Sequence, residues 1–307
     1  MNQIAGSSAF TPMYVSNIHL VDYPRYNGQT DVPIGLLGVP FDQGVCNRPG
    51  ARFAPRAIRL ANSMQFNKIP YGWEHFFPKG FPKAIYDFGD LNLDYGSVQN
   101  SRETMQNFLK FWLKKGTQFV TLGGDHSISY PFIKAYSQHF QQPISLIHFD
   151  SHSDTWLDSS TQRIDHGSVF YHAAKEGFID TKSSVQIGIR SFNSDNLGVP
   201  TFDTFYLHEH GVKKTMERAL EILKGKICYL TFDVDFLDPA YAPGTGTPVC
   251  GGFSTFQALE ALKMLKDAKI VGADLVELNP AYDHADISAL AASTVMQAEI
   301  ALLEIQP

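Results

Sequence analysis

The chain has little of what marks an extracellular, membrane or nucleic-acid-binding protein. Its three cysteines in 307 residues are too few and too scattered for a disulfide framework or a thiolate zinc site. No apolar run stands out as long enough to span a bilayer, which takes roughly 20 residues, and the N-terminus lacks the pattern of a secretory signal. The formal charge of −6 gives no electrostatic reason to expect nucleic acid. We therefore expect a cytoplasmic protein with neither a membrane nor a nucleic acid as partner.

The composition is that of a folded protein with a large core. Hydrophobic residues make up 44% of the chain and charged residues 18%, so much apolar surface can be buried. Because neither an internal repeat nor a linker divides the sequence, we expect a single domain over residues 1–307. Residues 1–26 are a candidate N-terminal arm, packed on the body or on a neighbouring subunit.

Short apolar segments alternate with segments of helical character. The apolar segments, which are typical of buried strands because they are continuously apolar, are 34–39, 84–88, 118–122, 144–149, 185–189, 227–232 and 270–276. The helical segments are 102–115, 130–139, 213–224, 255–266 and 288–304. This alternation predicts an α/β fold with a central parallel sheet and helices on both faces.

Three of the predicted strands are followed by acidic residues and histidines. These residues are His126 after strand 118–122, Asp150, His152 and Asp154 after strand 144–149, and Asp233 and Asp235 after strand 227–232. Residues two apart share a face in extended backbone, and open parallel sheets bind ligands at the carboxyl ends of their strands. We therefore expect these side chains to converge in one crevice.

The charge of this crevice indicates metal ions. Four neighbouring carboxylates cannot all ionise without positive charge, and two divalent cations would balance them. Carboxylate and imidazole ligands without thiolates favour Mn²⁺ or a similar ion. Acidic residues after strands also act as helix caps and turn formers, and for Asp233 and Asp235 alone that interpretation is equally good. Three clusters after three separate strands favour a binuclear metal site.

The motifs around these residues resemble those of the ureohydrolase family, which includes arginases and agmatinases. The matching motifs are GGDHS at 123–127, FDSHSDT at 149–155 and TFDVDFLDP at 231–239, and the resemblance extends from about Gly38 to the C-terminus. It implies a three-layer α/β/α sandwich with an arginase-like fold and two Mn²⁺ ions per subunit. It also implies a small guanidino substrate and assembly as a homotrimer or homohexamer.

The resemblance further implies a role for individual residues. It places one ion on His126, Asp150, Asp154 and Asp233, and the other on His152, Asp150, Asp233 and Asp235, so that Asp150 and Asp233 bridge both. His166 matches the family's histidine at the mouth of the site, which is associated with proton transfer. Glu277 matches the acid that receives the guanidinium.

The implied reaction is hydrolysis of a guanidino group with release of urea. A bound metal lowers the pKa of water from 15.7 towards about 7, which supplies a hydroxide for attack on the guanidinium carbon. Asp154 would take the proton and return it to the departing amine. Glu277 would pair with the guanidinium and orient its carbon.

The expected substrate is agmatine, which gives putrescine and urea. Segments 170–180 and 280–283 are most similar to the agmatinase branch, whereas segment 156–165 departs from the arginase pattern. Asp158 or Asp165 could accept the primary ammonium of agmatine. Arg163 would instead suit the carboxylate of 4-guanidinobutyrate, so we rank that guanidino acid second.

Two interpretations from other functional classes stay open. A catalytically silent, metal-stabilised oligomer is one, although such a protein would not need both His166 and Glu277. A deacetylase-like hydrolase is the other, although that chemistry typically uses one zinc ion rather than two.

Two weaker patterns carry structural expectations. The run of Arg48, Arg52, Arg56 and Arg59 is expected to form a solvated or inter-subunit helix face. The three cysteines, Cys46, Cys228 and Cys250, are expected to pack as small apolar groups.

Overall fold

A parallel sheet forms the centre of the computed structural model, which describes residues 18–20, 22–65, 67–157 and 163–306. Its strands are β1 (Ile34–Val39), β2 (Ile85–Asp90), β3 (Gln118–Gly123), β4 (Ser145–Phe149), β5 (Val185–Ile187), β6 (Thr201–Phe202), β7 (Ile227–Asp233) and β8 (Lys269–Val276). They pair in parallel in the order β2-β1-β3-β8-β7-β4-β5-β6. The middle strands are buried almost along their whole length, which explains why their residues are apolar on both faces.

Helices cover both faces of the sheet. They are α1 (Ala54–Asn62), α2 (Val98–Leu113), α3 (Ser129–Phe140), α4 (Val169–Lys175), α5 (Thr204–Leu223), α6 (Thr255–Met264) and α7 (Ile287–Ile305). Helices α1, α5, α6 and α7 share one apolar cluster with the sheet, and α2, α3 and α4 share the other. The predicted three-layer α/β/α sandwich is therefore confirmed.

Every predicted strand and helix is present, and the differences lie in short or interrupted elements. The prediction omitted β6, which has two residues, and helix α4; it expected a helix around the arginines at 48–59 but gave no bounds for α1. It began α5 at residue 213, whereas the helix starts at Thr204, where Asp203 caps it by accepting from the Tyr206 amide. Gly211 interrupts α5 with a φ of 77°, and only the part after this break has a clear helical pattern.

The described part of the candidate N-terminal arm lies along the outer strand β2; residues 1–17 and Val21 of that prediction lie outside the described residues. The Asp87 amide donates to the Pro24 carbonyl and the Tyr26 amide donates to the Asp87 carbonyl, each at 2.9 Å. The Tyr26 ring stacks on Phe88, with ring centroids 4.3 Å apart. Residues 22–26 thus cover an edge of the sheet that would otherwise expose unpaired backbone groups.

The prediction of a solvated arginine face is wrong for Arg59. This side chain is 1% exposed, and its guanidinium bonds Asp87 through Nε and Nη2 at 3.0 Å and Asp90 through Nη1 at 2.5 Å. Asp87 is held ionised: burial raises its pKa, but the guanidinium outweighs burial and holds the pKa well below the usual range. Arg59 therefore ties α1 to the end of β2 in the interior.

Helix α7 is a buried core helix whose composition resembles that of a membrane-spanning helix. It is long and apolar enough to cross a membrane by composition, a feature that the sequence analysis overlooked. Within the fold, 83% of its apolar window is buried against the sheet and the neighbouring helices. The apolar residues of α7 therefore belong to the hydrophobic core.

Candidate metal centre

Four neighbouring strands, β3, β8, β7 and β4, bring the candidate site together at their carboxyl ends. The residues that follow them are His126 after β3, Glu277 after β8, Asp235 just beyond Asp233 of β7, and Asp150, His152 and Asp154 after β4. The His126 amide donates to Glu277 Oε1 at 2.8 Å across a sequence separation of 151 residues. The order of strands, rather than closeness in sequence, creates this cluster.

The aspartates act as turn formers and leave a second oxygen for the crevice. Asp150 Oδ1 accepts from the His152 amide at 2.5 Å, and Asp233 Oδ1 accepts from the Asp235 amide at 2.8 Å. Both Oδ2 atoms turn towards His126. Turn formation therefore leaves Oδ2 of each carboxylate facing the crevice, so the capping interpretation does not exclude the ligand interpretation.

The first ligand group surrounds His126. Its Nδ1 lies 2.9 Å from Asp154 Oδ2, 3.2 Å from Asp150 Oδ2 and 3.4 Å from Asp233 Oδ2. His126 is fully buried, yet Nδ1 makes no hydrogen bond of acceptable geometry to described residues. A ring nitrogen that faces three carboxylate oxygens without bonding any of them is suited to share a cation with them.

The second ligand group lies on the other side of Asp150. His152 Nδ1 is 3.4 Å from Asp150 Oδ1 and 3.0 Å from Asp235 Oδ2. Asp235 Oδ2 is buried without a hydrogen-bond partner among the described residues. Asp150 thus offers Oδ2 to the first group and Oδ1 to the second, which is the arrangement of a bridging ligand.

The titration behaviour of the cluster reflects its excess negative charge. Burial and the carboxylates of Asp235 and Asp150 raise the pKa of Asp233 well above its usual value. Burial and Asp150 also raise the pKa of Asp154. Burial lowers the pKa of His152, but Asp235 and Asp150 outweigh burial and raise it to about 12. The protein alone compensates this charge with protons, and divalent cations would satisfy the same demand.

His166 and Glu277 form a hydrogen-bonded pair beside the cluster. His166 Nδ1 lies 3.1 Å from Glu277 Oε1, and the Cys46 amide donates to His166 Nε2 at 3.1 Å. Burial lowers the pKa of His166, but Glu277, Asp154 and the Cys46 side chain outweigh burial and raise it to about 11. The Cys46 amide bonds Nε2 only while that nitrogen is unprotonated, whereas the charge of Glu277 favours the protonated ring. In either state Nδ1 donates to Glu277.

A cavity of about 410 Å³ leads from the cluster to the surface. His152, Asp154 and Asp233 line its inner part, and Arg163 and Asp165 line its mouth. The Arg163 side chain is 66% exposed, and its Nη2 lies 3.0 Å from Asp165 Oδ2. Asp158, the other expected substrate contact, lies outside the described residues.

Two neighbours of the site were missed by the sequence analysis. His148 Nε2 donates to Asp150 Oδ2 at 2.7 Å, while Gln186 faces the other ring nitrogen at 3.3 Å. A histidine inside a buried strand, two positions before Asp150, was the available signal. Cys46 was expected to pack as an apolar group, but it is exposed at the cavity and its Sγ lies 3.0 Å from His166 Nε2. Cys250 is exposed too, so that expectation holds for Cys228 alone.

The chain is similar to proteins of one family over most of its length. The family model described as the arginase family matches residues 32–301. An agmatinase of Chromobacterium violaceum is 40% identical over 279 residues, covering 90% of this chain and 86% of that protein. A crystal structure of a hypothetical agmatinase from Burkholderia thailandensis has a TM-score of 0.87 and 42% identity, covering 91% of this chain and 88% of that one. Proclavaminate amidino hydrolase from Streptomyces clavuligerus has a TM-score of 0.86 and 31% identity, covering 97% of this chain and 100% of that one.

Proposed function

Since the chain belongs to the arginase family, we propose that this ureohydrolase hydrolyses agmatine to putrescine and urea with two Mn²⁺ ions per subunit. The observation that carries the proposal is the position of Asp150, which offers one oxygen to each of two ligand groups. Beside those groups lies the buried acid Glu277. The similarity to relatives named agmatinase supports the choice of substrate.

We assign the ligands by the groups in which they lie. One ion is held by His126, Asp150, Asp154 and Asp233, and the other by His152, Asp150 and Asp235. The resemblance to the family adds Asp233 to the second ion as a further bridging ligand. Carboxylate-rich ligation with imidazole and without thiolate supports manganese. The chemistry that such ions supply at this position is the activation of a water molecule as a nucleophile at neutral pH.

Glu277 binds and orients the guanidinium. Its Oε1 accepts from the His126 amide and from His166, which leaves Oε2 for the substrate. A Cβ at Gly246 would lie 3.3 Å from Oε2, so a glycine at this position keeps that space open. Burial raises the pKa of Glu277, but His166 and the His126 amide outweigh it, so the carboxylate stays charged and can pair with a cation.

Asp154 moves the proton. Its Oδ2 faces the first ligand group, and the residue also lines the cavity through which a substrate reaches that group. The carboxylate takes the proton that the water loses on attack and returns it to the departing nitrogen. The bond between the guanidinium carbon and that nitrogen then breaks, the remaining hydroxyl proton passes to the amine, and urea and the protonated amine leave the cavity.

The mouth of the cavity bears on the choice between agmatine and 4-guanidinobutyrate. Arg163 is the observation that favours the guanidino acid, because it places a cation where the tail of the substrate ends. That cation is paired with Asp165, whose Oδ1 also accepts from Ser168 Oγ at 2.7 Å. A paired and largely exposed arginine attracts a carboxylate weakly, so agmatine stays first.

A substrate panel tests the proposal. We expect kcat/KM for agmatine to exceed that for 4-guanidinobutyrate and for arginine by at least about tenfold, or 1.4 kcal/mol. Arg163→Ala should leave the value for agmatine nearly unchanged. If 4-guanidinobutyrate leads and Arg163→Ala removes that lead, the enzyme is a guanidinobutyrase and Arg163 binds the carboxylate.

Three further features belong to the proposal. We propose that residues 1–307 act as one domain, that the chain assembles as a homotrimer or homohexamer, and that it works in the cytoplasm. Exposed aromatic side chains such as Phe192, Phe205 and Phe256 offer apolar surface for assembly. Light scattering of the eluting protein on a sizing column measures the subunit number; a monomer would contradict the assembly.

A further inference from the structure

A buried chain of hydrogen bonds runs from His126 away from the ligand groups. His126 Nε2 lies 2.7 Å from Thr231 Oγ1, and Thr231 Oγ1 donates to Asp274 Oδ1 at 2.6 Å. The three residues come from β7, β8 and the turn after β3, and each is at most 2% exposed. Water therefore does not compete for these bonds.

The direction of each bond follows from its acceptors. Asp274 receives three hydroxyl groups, because Ser129 Oγ and Tyr229 OH also donate to its Oδ2, at 2.6 and 2.7 Å. Thr231 has one hydroxyl hydrogen, and it points to Asp274. Its oxygen can then only accept from His126, so the proton of the imidazole lies on Nε2.

We propose that Asp274 is a positioning residue that acts through Thr231 to hold His126 in the tautomer and orientation needed to bind a metal ion. With the proton on Nε2, the lone pair of Nδ1 faces the oxygens of Asp150, Asp154 and Asp233. This inference rests on the proposed metal centre and adds two buried residues of the sheet, Thr231 and Asp274, that position one of its ligands. Histidine ligands commonly depend on such a partner on the second ring nitrogen.

Thr231→Val is the direct test, because valine has the shape of threonine and lacks the hydroxyl. We expect equilibrium dialysis with Mn²⁺, followed by metal analysis, to show one ion bound about 10- to 100-fold more weakly. The second ion, on the side of His152, should keep nearly its wild-type affinity. Thr231→Ser keeps the hydroxyl and should restore the lost affinity, and excess Mn²⁺ should restore turnover in Thr231→Val.

Tyr229→Phe is the matched control. It removes a different donor from the same Asp274 carboxylate and leaves Thr231 in place. We expect its Mn²⁺ affinities to equal those of the wild type, whatever its effect on stability. A loss in Tyr229→Phe as large as in Thr231→Val would overturn the inference, because both would then report general damage to the core.

A double substitution tests whether Asp274 acts through Thr231. Asp274→Asn alone should weaken the same ion, and in Thr231→Val it should add little further loss. Losses that simply add would show that Asp274 acts independently, against the inference. If the wild type and Thr231→Val bind two ions equally tightly, the inference fails and the proposed function stands. If the wild type binds no divalent cation, both fail.

Discussion

Replacing Glu277 by Gln changes the proposed guanidinium site by one charge and leaves its shape unaltered. Glu277 Oε1 accepts from the His126 amide at 2.8 Å and lies 3.1 Å from His166 Nδ1, and the Gln carbonyl can keep both bonds. The Gln amide nitrogen then takes the place of Oε2 and turns its two hydrogens towards the guanidinium, which also offers only donors. An attractive charged contact becomes a repulsive one.

The size of the effect follows from burial. Glu277 is 2% exposed, so its pairing with a guanidinium is little screened by water. Removing one partner of a buried ion pair costs about 3–5 kcal/mol. If the pair is complete in the transition state, kcat/KM for agmatine falls roughly 10²- to 10⁴-fold.

Urea release by Mn²⁺-loaded Glu277→Gln measures the fall in kcat/KM. Metal analysis of the same sample checks that the metal centre is intact. Two ions should remain, because Glu277 is not among the proposed ligands. Glu217→Gln on α5, where the side chain is 54% exposed, is a matched loss of charge and should keep the wild-type kcat/KM. A fall of less than about tenfold in Glu277→Gln with full metal content would refute the pairing of Glu277 with the guanidinium.

Three other outcomes are expected. Asp150→Asn should lower metal content more than His126→Asn, because Asp150 serves both ligand groups; two tightly held ions in Asp150→Asn would contradict the bridging role. Mn²⁺ should bind more tightly as pH rises from about 6 to 8 and should release protons, since the charge of the cluster raises the pKa of His152 and metal must displace that proton. Calorimetry in buffers of different ionisation enthalpy measures this, and a pH-independent affinity would contradict it. Arg59→Met should cost about 3–5 kcal/mol in the free energy of unfolding by denaturant, because Asp87 and Asp90 lose their buried partner, whereas exposed Arg56→Met should cost little.

The sheet could be predicted from the sequence because its strands are buried on both faces. A run such as Ile34–Val39 is continuously apolar, and a run of that kind is recognisable without its partners. Strand β6 has two residues, and its first residue, Thr201, is exposed, so no pattern marks it. The burial of Arg59 could not be predicted, because nothing in the sequence shows that Asp87 and Asp90 lie within reach of α1.

The candidate ligands could be named from the sequence, but their grouping depends on the order of strands. Sequence order places β4 between β3 and β7, whereas the sheet places β8 between β3 and β7. This order brings Glu277, at the end of β8, next to the His126 amide. The support of His126 by Asp274 depends on the same neighbours, because Thr231 and Asp274 pair across β7 and β8. Such cross-strand contacts have no signal in one sequence.

The backbone at the site is not extended where the sequence pattern predicted extended backbone. Residues 150, 152 and 154 were expected to share one face of extended backbone, yet the chain bends after β4 and Asp154 adopts a φ of 50°. Glu277 has a φ of 64°, also in the left-handed region, which costs an L-residue about 1–2 kcal/mol. Hydrogen bonds hold both turns: the Phe170 amide donates to the Asp154 carbonyl at 3.0 Å, and the Glu277 amide to the Gly124 carbonyl at 2.9 Å.

The positions of these two turns argue that the strain serves the site. Among the residues of the cluster, the left-handed ones are the proposed proton carrier Asp154 and the proposed guanidinium acid Glu277. Each turn sends a carboxylate back over the ends of the strands, towards His126, instead of onward along the chain. Glycine would adopt these angles without cost but would bring no carboxylate. The fold therefore accepts unfavourable backbone where the chemistry needs an acid, and intrinsic propensity, which favours the relaxed conformation, cannot reveal it from sequence.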